Sequence, residues 1–163
     1  MRELIVLVAC TMLVGCDYTV PLVKTPGMAI DNAVVGLWER TNENGQTERL
    51  LVLPLSKQEY LVSFPSSAKD AMFARASLCS TAGKTLVQLE WIGTVQGELP
   101  EDNRVFQFAA YSVAEDTLRV RMLNADVVKG DAESPGALAK AIGENKNNPA
   151  LFRGEVAFKK VKN

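Results

Sequence analysis

Met72-Phe73-Ala74-Arg75-Ala76-Ser77-Leu78-Cys79-Ser80 and, beyond the intervening Thr81-Ala82-Gly83-Lys84, Thr85-Leu86-Val87-Gln88-Leu89-Glu90-Trp91-Ile92 form the stretch that decides the fold. In the first run Met72, Ala74, Ala76 and Leu78 alternate with Phe73, Arg75, Ser77 and Cys79. In the second, Val87, Leu89 and Trp91 alternate with Leu86, Gln88, Glu90 and Ile92. Successive side chains of a strand point to opposite faces, so a period of two reads as a strand with one face toward a core. A link this short joins the two runs as an antiparallel hairpin.

The same period continues on both sides. Upstream, Ala33 to Arg40 is an apolar strand candidate, and Asn42-Glu43-Asn44-Gly45 carries the Asn-Gly hairpin signal. Thr47 to Leu53 returns and stops near Pro54, and Gln58 to Phe64 puts Tyr60, Val62 and Phe64 on one face. Residues 65–70 read as a turn. Downstream, an acidic loop from Gly97 to Arg104 precedes an apolar strand from Val105 to Val113. Thr117 to Leu123 turns Leu118, Val120 and Met122 inward and Arg119 and Arg121 outward, and Arg153 to Val161 forms a last strand. Ser134 as N-cap and Pro135 at the first helical position start one helix before it, with Leu138, Ala141 and Ile142 as its apolar stripe. Gly143, Asn147-Asn148 and Pro149 end that helix. About eight short strands joined mostly by short turns predict a mainly β fold, an antiparallel meander closing into a barrel.

The first sixteen residues have a different character. Leu4 to Val14 is almost wholly apolar, and eleven helical residues span roughly 16 Å, half a bilayer core. That suits a signal-peptide core and not a membrane-spanning helix. The run ends in Leu13-Val14-Gly15-Cys16, which resembles the lipobox of bacterial lipoproteins. The resemblance implies cleavage between Gly15 and Cys16 and lipidation of the Cys16 sulfur, with the amino terminus acylated as well. Several acyl chains, at ~0.8 kcal/mol per buried CH₂, make a strong anchor. It also implies that Asp17 bears on membrane sorting, favouring the inner membrane. The expected organisation is a leader over 1–15, a lipidated N-terminus and tether over 16–32, and one barrel domain over 33–163. The tether assignment follows from Pro21, Pro26, Gly27 and the lack of any period. The expected location is the cell envelope, facing the periplasm or the exterior.

Gly36-Leu37-Trp38 resembles the Gly-x-Trp at the start of lipocalin-like (calycin) barrels. In that family the Trp closes one barrel end and an Arg of the last strand packs on it, which points to Arg153 here. These three residues would be structural.

Composition narrows the functions. Eighteen Lys+Arg against nineteen Asp+Glu leave a formal charge of −1, no field for nucleic acid. The chain has no histidine, the commonest general base and transition-metal ligand. Cys10 leaves with the leader and Cys16 is alkylated, so Cys79 has no intramolecular partner and reads as a small buried hydrophobe. Gly83-Lys84-Thr85 lacks the upstream glycine of a phosphate-binding loop, with Leu78 in its place. Asp126, Asp131 and Glu133 lack calcium-loop spacing, Glu98, Glu101 and Asp102 read as solvated, and Ser66-Ser67-Ala68-Lys69 has no companion motif for hydrolysis. No catalytic residue, metal site or cofactor is expected. Tyr60, Trp91, Phe106, Phe108 and Tyr111 are candidates for lining an apolar cavity, or for filling a small barrel. The expected partners are the membrane, through the anchor, and an apolar small molecule or lipid. The alternative is a filled barrel that serves as an interaction module for another envelope protein.

Overall fold

The computed structural model describes residues 17–66, 71–97 and 102–162. The lipobox Leu13–Cys16 with the rest of the leader, Ser67, Lys69, Glu98 and Glu101 lie outside the described residues. Eight strands follow in chain order: β1 (Gly36–Thr41), β2 (Thr47–Pro54), β3 (Glu59–Phe64), β4 (Met72–Thr81), β5 (Lys84–Thr94), β6 (Phe106–Ala114), β7 (Thr117–Leu123) and β8 (Phe152–Lys160). One helix, α1 (Pro135–Glu144), precedes β8. Each strand pairs antiparallel with the next, and β8 returns to β1 through Trp38↔Lys160 and Glu39↔Lys159. The meander is therefore a closed barrel, its seam made by two register pairs between β1 and β8.

Antiparallel order gives the barrel two distinct ends. Turns at residues 55–58, 82–83 and 115–116 gather at one end. The described residues of the other connections, 42–46, 65–66, 71, 95–97, 102–105 and 124–151 with α1, lie at the other. The first end is plugged by the chain entering β1. Asn32–Val34 forms a single 3-10 turn, capped by the Asp31 carboxylate, which accepts from the Ala33 N–H at 2.9 Å. For that reason β1 begins at Gly36 and not at Ala33. Gly36 adopts φ +136°, and a Cβ there would press on the Lys160 side chain at 3.2 Å.

Residues 17–32 do not form a free tether. Tyr18 pairs with Phe106 through two backbone hydrogen bonds, at 3.3 and 3.0 Å. The N–H groups of Leu22 and Val23 both donate to Oε1 of Gln88, whose amide donates back to the Val23 carbonyl. The Ile30 N–H then reaches the Lys57 carbonyl. The segment is a strap running down the outer wall from the helix-bearing end to the plugged end. Its partners are scattered, Phe106 on β6, Gln88 on β5 and Lys57 in the turn after β2, and such contacts impose no period on the sequence.

The strap and helix divide the core in two. Trp38, Val52, Tyr60, Val62, Ala74, Ala76, Leu78, Trp91, Leu118 and Phe158 pack inside the barrel. Outside it, Tyr18, Phe108, Leu123, Val128, Leu138, Ile142 and Leu151 form a second cluster. Tyr18 meets Phe108 edge-on at 5.2 Å and donates its hydroxyl to the Val128 carbonyl at 2.9 Å. Ser134 caps α1 as expected, its hydroxyl accepting from the Ala137 N–H. Cys79 is buried on the outer phase of β4, the strand that α1 lies against, and burial pushes its thiol up to about 11.

Candidate ligand cavity

The inward phase of the strands builds a cavity of about 260 Å³ in the half of the barrel away from the plug. Val62, Leu89, Val120 and Val156 form its depth, Phe64, Trp91 and Phe158 its aromatic walls, and Met72 and Met122 its flexible rim. Two polar side chains reach it, Gln107 and Glu48. Gln107 is occupied, accepting the Trp91 indole N–H at 2.9 Å. Glu48 accepts from Arg40 at 2.6 Å and from the Asn42 amide at 3.1 Å. The Arg40 guanidinium also lies over the Phe158 ring, 5.6 Å from its centre. The carboxylate at the mouth is thus matched by its own cation, and the inner wall offers apolar surface with no uncompensated charge. Among the described residues every buried side-chain nitrogen or oxygen has a hydrogen-bond partner.

Below the cavity the barrel is filled. The Trp38 indole donates to the Val34 carbonyl at 2.8 Å, and the Lys160 ammonium stands 5.0 Å from the ring centre. Asp31 fastens the plug to two strands. Its backbone N–H donates to the Tyr60 oxygen at 2.5 Å, the Tyr60 hydroxyl donates to its carbonyl at 3.1 Å, and Tyr111 donates to its carboxylate at 3.1 Å. Burial first, then the negative charge of Asp31, hold the Tyr111 phenol well above its ordinary range; burial also raises Tyr60.

The five aromatic candidates therefore separate. Trp91 lines the cavity. Tyr60 and Tyr111 point inward but are committed to the plug. Phe106 and Phe108 are on the outer phase of β6, beneath the strap and α1, where Phe108 is fully buried. Arg153 does not reach Trp38: it is the second residue of β8, at the mouth end, and donates to the Asp17 carboxylate at 2.9 Å. Lys160, at the far end of the same strand, takes the position over Trp38. Partial burial raises the Asp17 carboxyl above its ordinary range, against the lowering pull of Arg153 and Arg104. Gly83-Lys84-Thr85 lies at the β4–β5 hairpin turn, far from any helix start. Arg40, Glu48, Phe64, Met72 and Phe158 were not among the candidates, although the alternation already placed Phe64 with Tyr60 and Val62.

The outline of this site is an apolar, half-open lumen with a neutralised polar rim above a plugged floor. Compared with protein-family profiles, with curated proteins and with solved structures, the chain finds no match.

Proposed function

We propose that this protein is a lipid-anchored envelope lipoprotein whose barrel binds a small apolar molecule in its lumen. The observation that carries the binding half is the cavity of about 260 Å³ walled by aliphatic, aromatic and thioether side chains. That volume is near the lower bound of ligand pockets, roughly 300 Å³. At roughly 30 Å³ for each water-sized group, it holds about eight such groups, so a straight chain of about eight carbons or a single ring system fits it. Each buried CH₂ contributes about 0.8 kcal/mol, so an eight-carbon chain gains on the order of 6 kcal/mol before the cost of association. The anchoring half rests on Leu13-Val14-Gly15-Cys16 after an apolar run of signal-peptide length. An interaction module would call for a filled lumen, and the open half of the barrel weighs against it.

An eight-carbon alcohol bearing a photoactivatable diazirine in its chain tests the reading. Covalent adducts should map to peptides carrying Phe64, Met72 and Met122, and excess octanol should abolish them. Adducts confined to the outer wall, on the peptides of Pro21–Pro26 or α1, would remove the basis for a luminal ligand.

A further inference from the structure

The strap fixes which end of the barrel faces the lipid. Tyr18 is anchored to the first residue of β6 and to Val128, both at the mouth end. Asp17 is pinned there too, by Arg153 at the start of β8 and by a close approach of Gly130 to its carbonyl oxygen. Consecutive Cα atoms are about 3.8 Å apart, so the residue before Asp17 is tied to this end whatever path it takes. If Cys16 carries the acyl chains, as the function proposed above holds, no spacer separates them from the barrel. The lumen opens at this same end, and the plug of Asp31, Tyr60 and Tyr111 closes the opposite one.

Exposed apolar side chains alone would not orient the molecule. Ile92 and Val95 are exposed at the mouth end, but Leu53 and Leu55 are exposed at the plugged end. The attachment decides between them, and Ile92 and Val95 are then the pair that meets the bilayer surface. Glu48 is the one charged side chain among the residues that line the cavity, and Arg40 pairs with it.

We propose that the barrel stands mouth-down on the membrane that anchors it and that the cavity takes the tail of a single-chain lipid directly from that bilayer. The chain end occupies the space between Trp91, Leu89 and Val120, with the remaining methylenes in the mouth. Passage from bilayer to lumen then avoids exposing the tail to water, a step that costs about 0.8 kcal/mol for each CH₂.

The two tryptophans report on this directly, because Trp91 lines the cavity and Trp38 lies at the plug. The full chain, purified from membranes and reconstituted into phosphatidylcholine vesicles, is given a lysophospholipid brominated near its chain end. Bromine quenches indole emission only at short range. In the wild type at least a twofold loss of Trp91 emission is expected. In Trp91→Phe the remaining Trp38 emission should change by less than a tenth. The Trp91 signal is taken as the difference between these two proteins, so no Trp38 variant has to fold. Quenching of Trp38 equal to that of Trp91, or of neither, overturns the orientation and the lipid occupant. The intact mass of the same sample separates this from failure of the anchor. An acylated chain beginning at Cys16 with the wrong quenching pattern sinks this inference alone, whereas a chain without acyl mass sinks the anchor and the inference with it.

Discussion

The Lys160 ammonium stands 5.0 Å from the centre of the Trp38 ring, and the two residues are register partners across the strand pair that closes the barrel. One cation therefore covers the floor of the barrel at its seam. Lys160→Met keeps much of the stem that packs over Gly36 and removes the charge. The expected cost is about 0.5–1 kcal/mol in urea unfolding. The Trp38 emission maximum should also shift. Arg153→Ala should leave that emission unchanged, because Arg153 pairs with Asp17 at the other end. Half of the Arg153 side chain is exposed, and its pair is expected to contribute no more than about 1 kcal/mol.

The plug should depend unequally on its two tyrosines. Tyr60 both accepts from the Asp31 N–H and donates to its carbonyl, whereas Tyr111 gives one hydrogen bond to the carboxylate. Tyr60→Phe strands two backbone groups and should cost about 2–3 kcal/mol. Tyr111→Phe should cost about 1 kcal/mol, since Asp31 keeps its bond from Ala33. Equal unfolding midpoints for the two variants would remove the distinction.

These particulars show how far the sequence could be read. Strands β4, β5 and β7 were legible because one phase of each is apolar and the other carries Arg, Gln, Glu or Ser. In β6 both phases are apolar, since its outer face is covered by Tyr18 and α1, and alternation could not tell Phe106 and Phe108 from Tyr111. The resemblance points to the wrong end of β8 for the cation over Trp38, because the β1–β8 register joins residues more than a hundred positions apart and no local pattern encodes it. The strap reads as a tether in the sequence for a related reason. Its bonds to Gln88, Lys57 and Phe106 come from scattered positions and leave no signature in composition. The cavity was legible only in its chemistry; its position above the plug follows from where Asp31 folds back.

Cys79 should make the protein sensitive to alkali. Its thiol is pushed up to about 11 in the fold by burial, from an ordinary value of 9.0. A group whose folded value is raised contributes stability that is complete below the unfolded value and is lost as the pH rises through the folded one. Stability should therefore hold to about pH 9 and decline toward pH 11, with Tyr60 and Tyr111, also raised, adding to the fall. Cys79→Ala should flatten the first part of this decline. A disulfide reagent at pH 8 should modify the thiol only after denaturant is added, and rapid reaction in the folded protein would contradict the burial of Cys79.

Gly130 holds the start of the strap by having no side chain. A Cβ there would run into the Asp17 carbonyl oxygen. Gly130→Ala should displace residues 17–18 and cost on the order of 1–3 kcal/mol, the usual penalty for overpacking. Amide exchange should quicken at Tyr18 and at its partner Phe106 while the β2–β4 core stays protected. A uniform loss of protection, or none, would show that the strap is not held at this point.

Binding in the lumen is tested most directly by filling it. Leu89→Phe and Val120→Phe add bulk to the deep wall and should leave the unfolding midpoint unchanged or raise it, since an empty apolar cavity costs about 24 cal/mol per Å³. Octan-1-ol is titrated into the full chain in a sterol-based detergent, with Trp91 emission as the readout. The wild type should show a saturable one-to-one change, and each filled variant should bind at least tenfold more weakly. Equal affinity in the wild type and in folded, filled variants, or no saturable change in the wild type, would contradict a ligand-binding lumen.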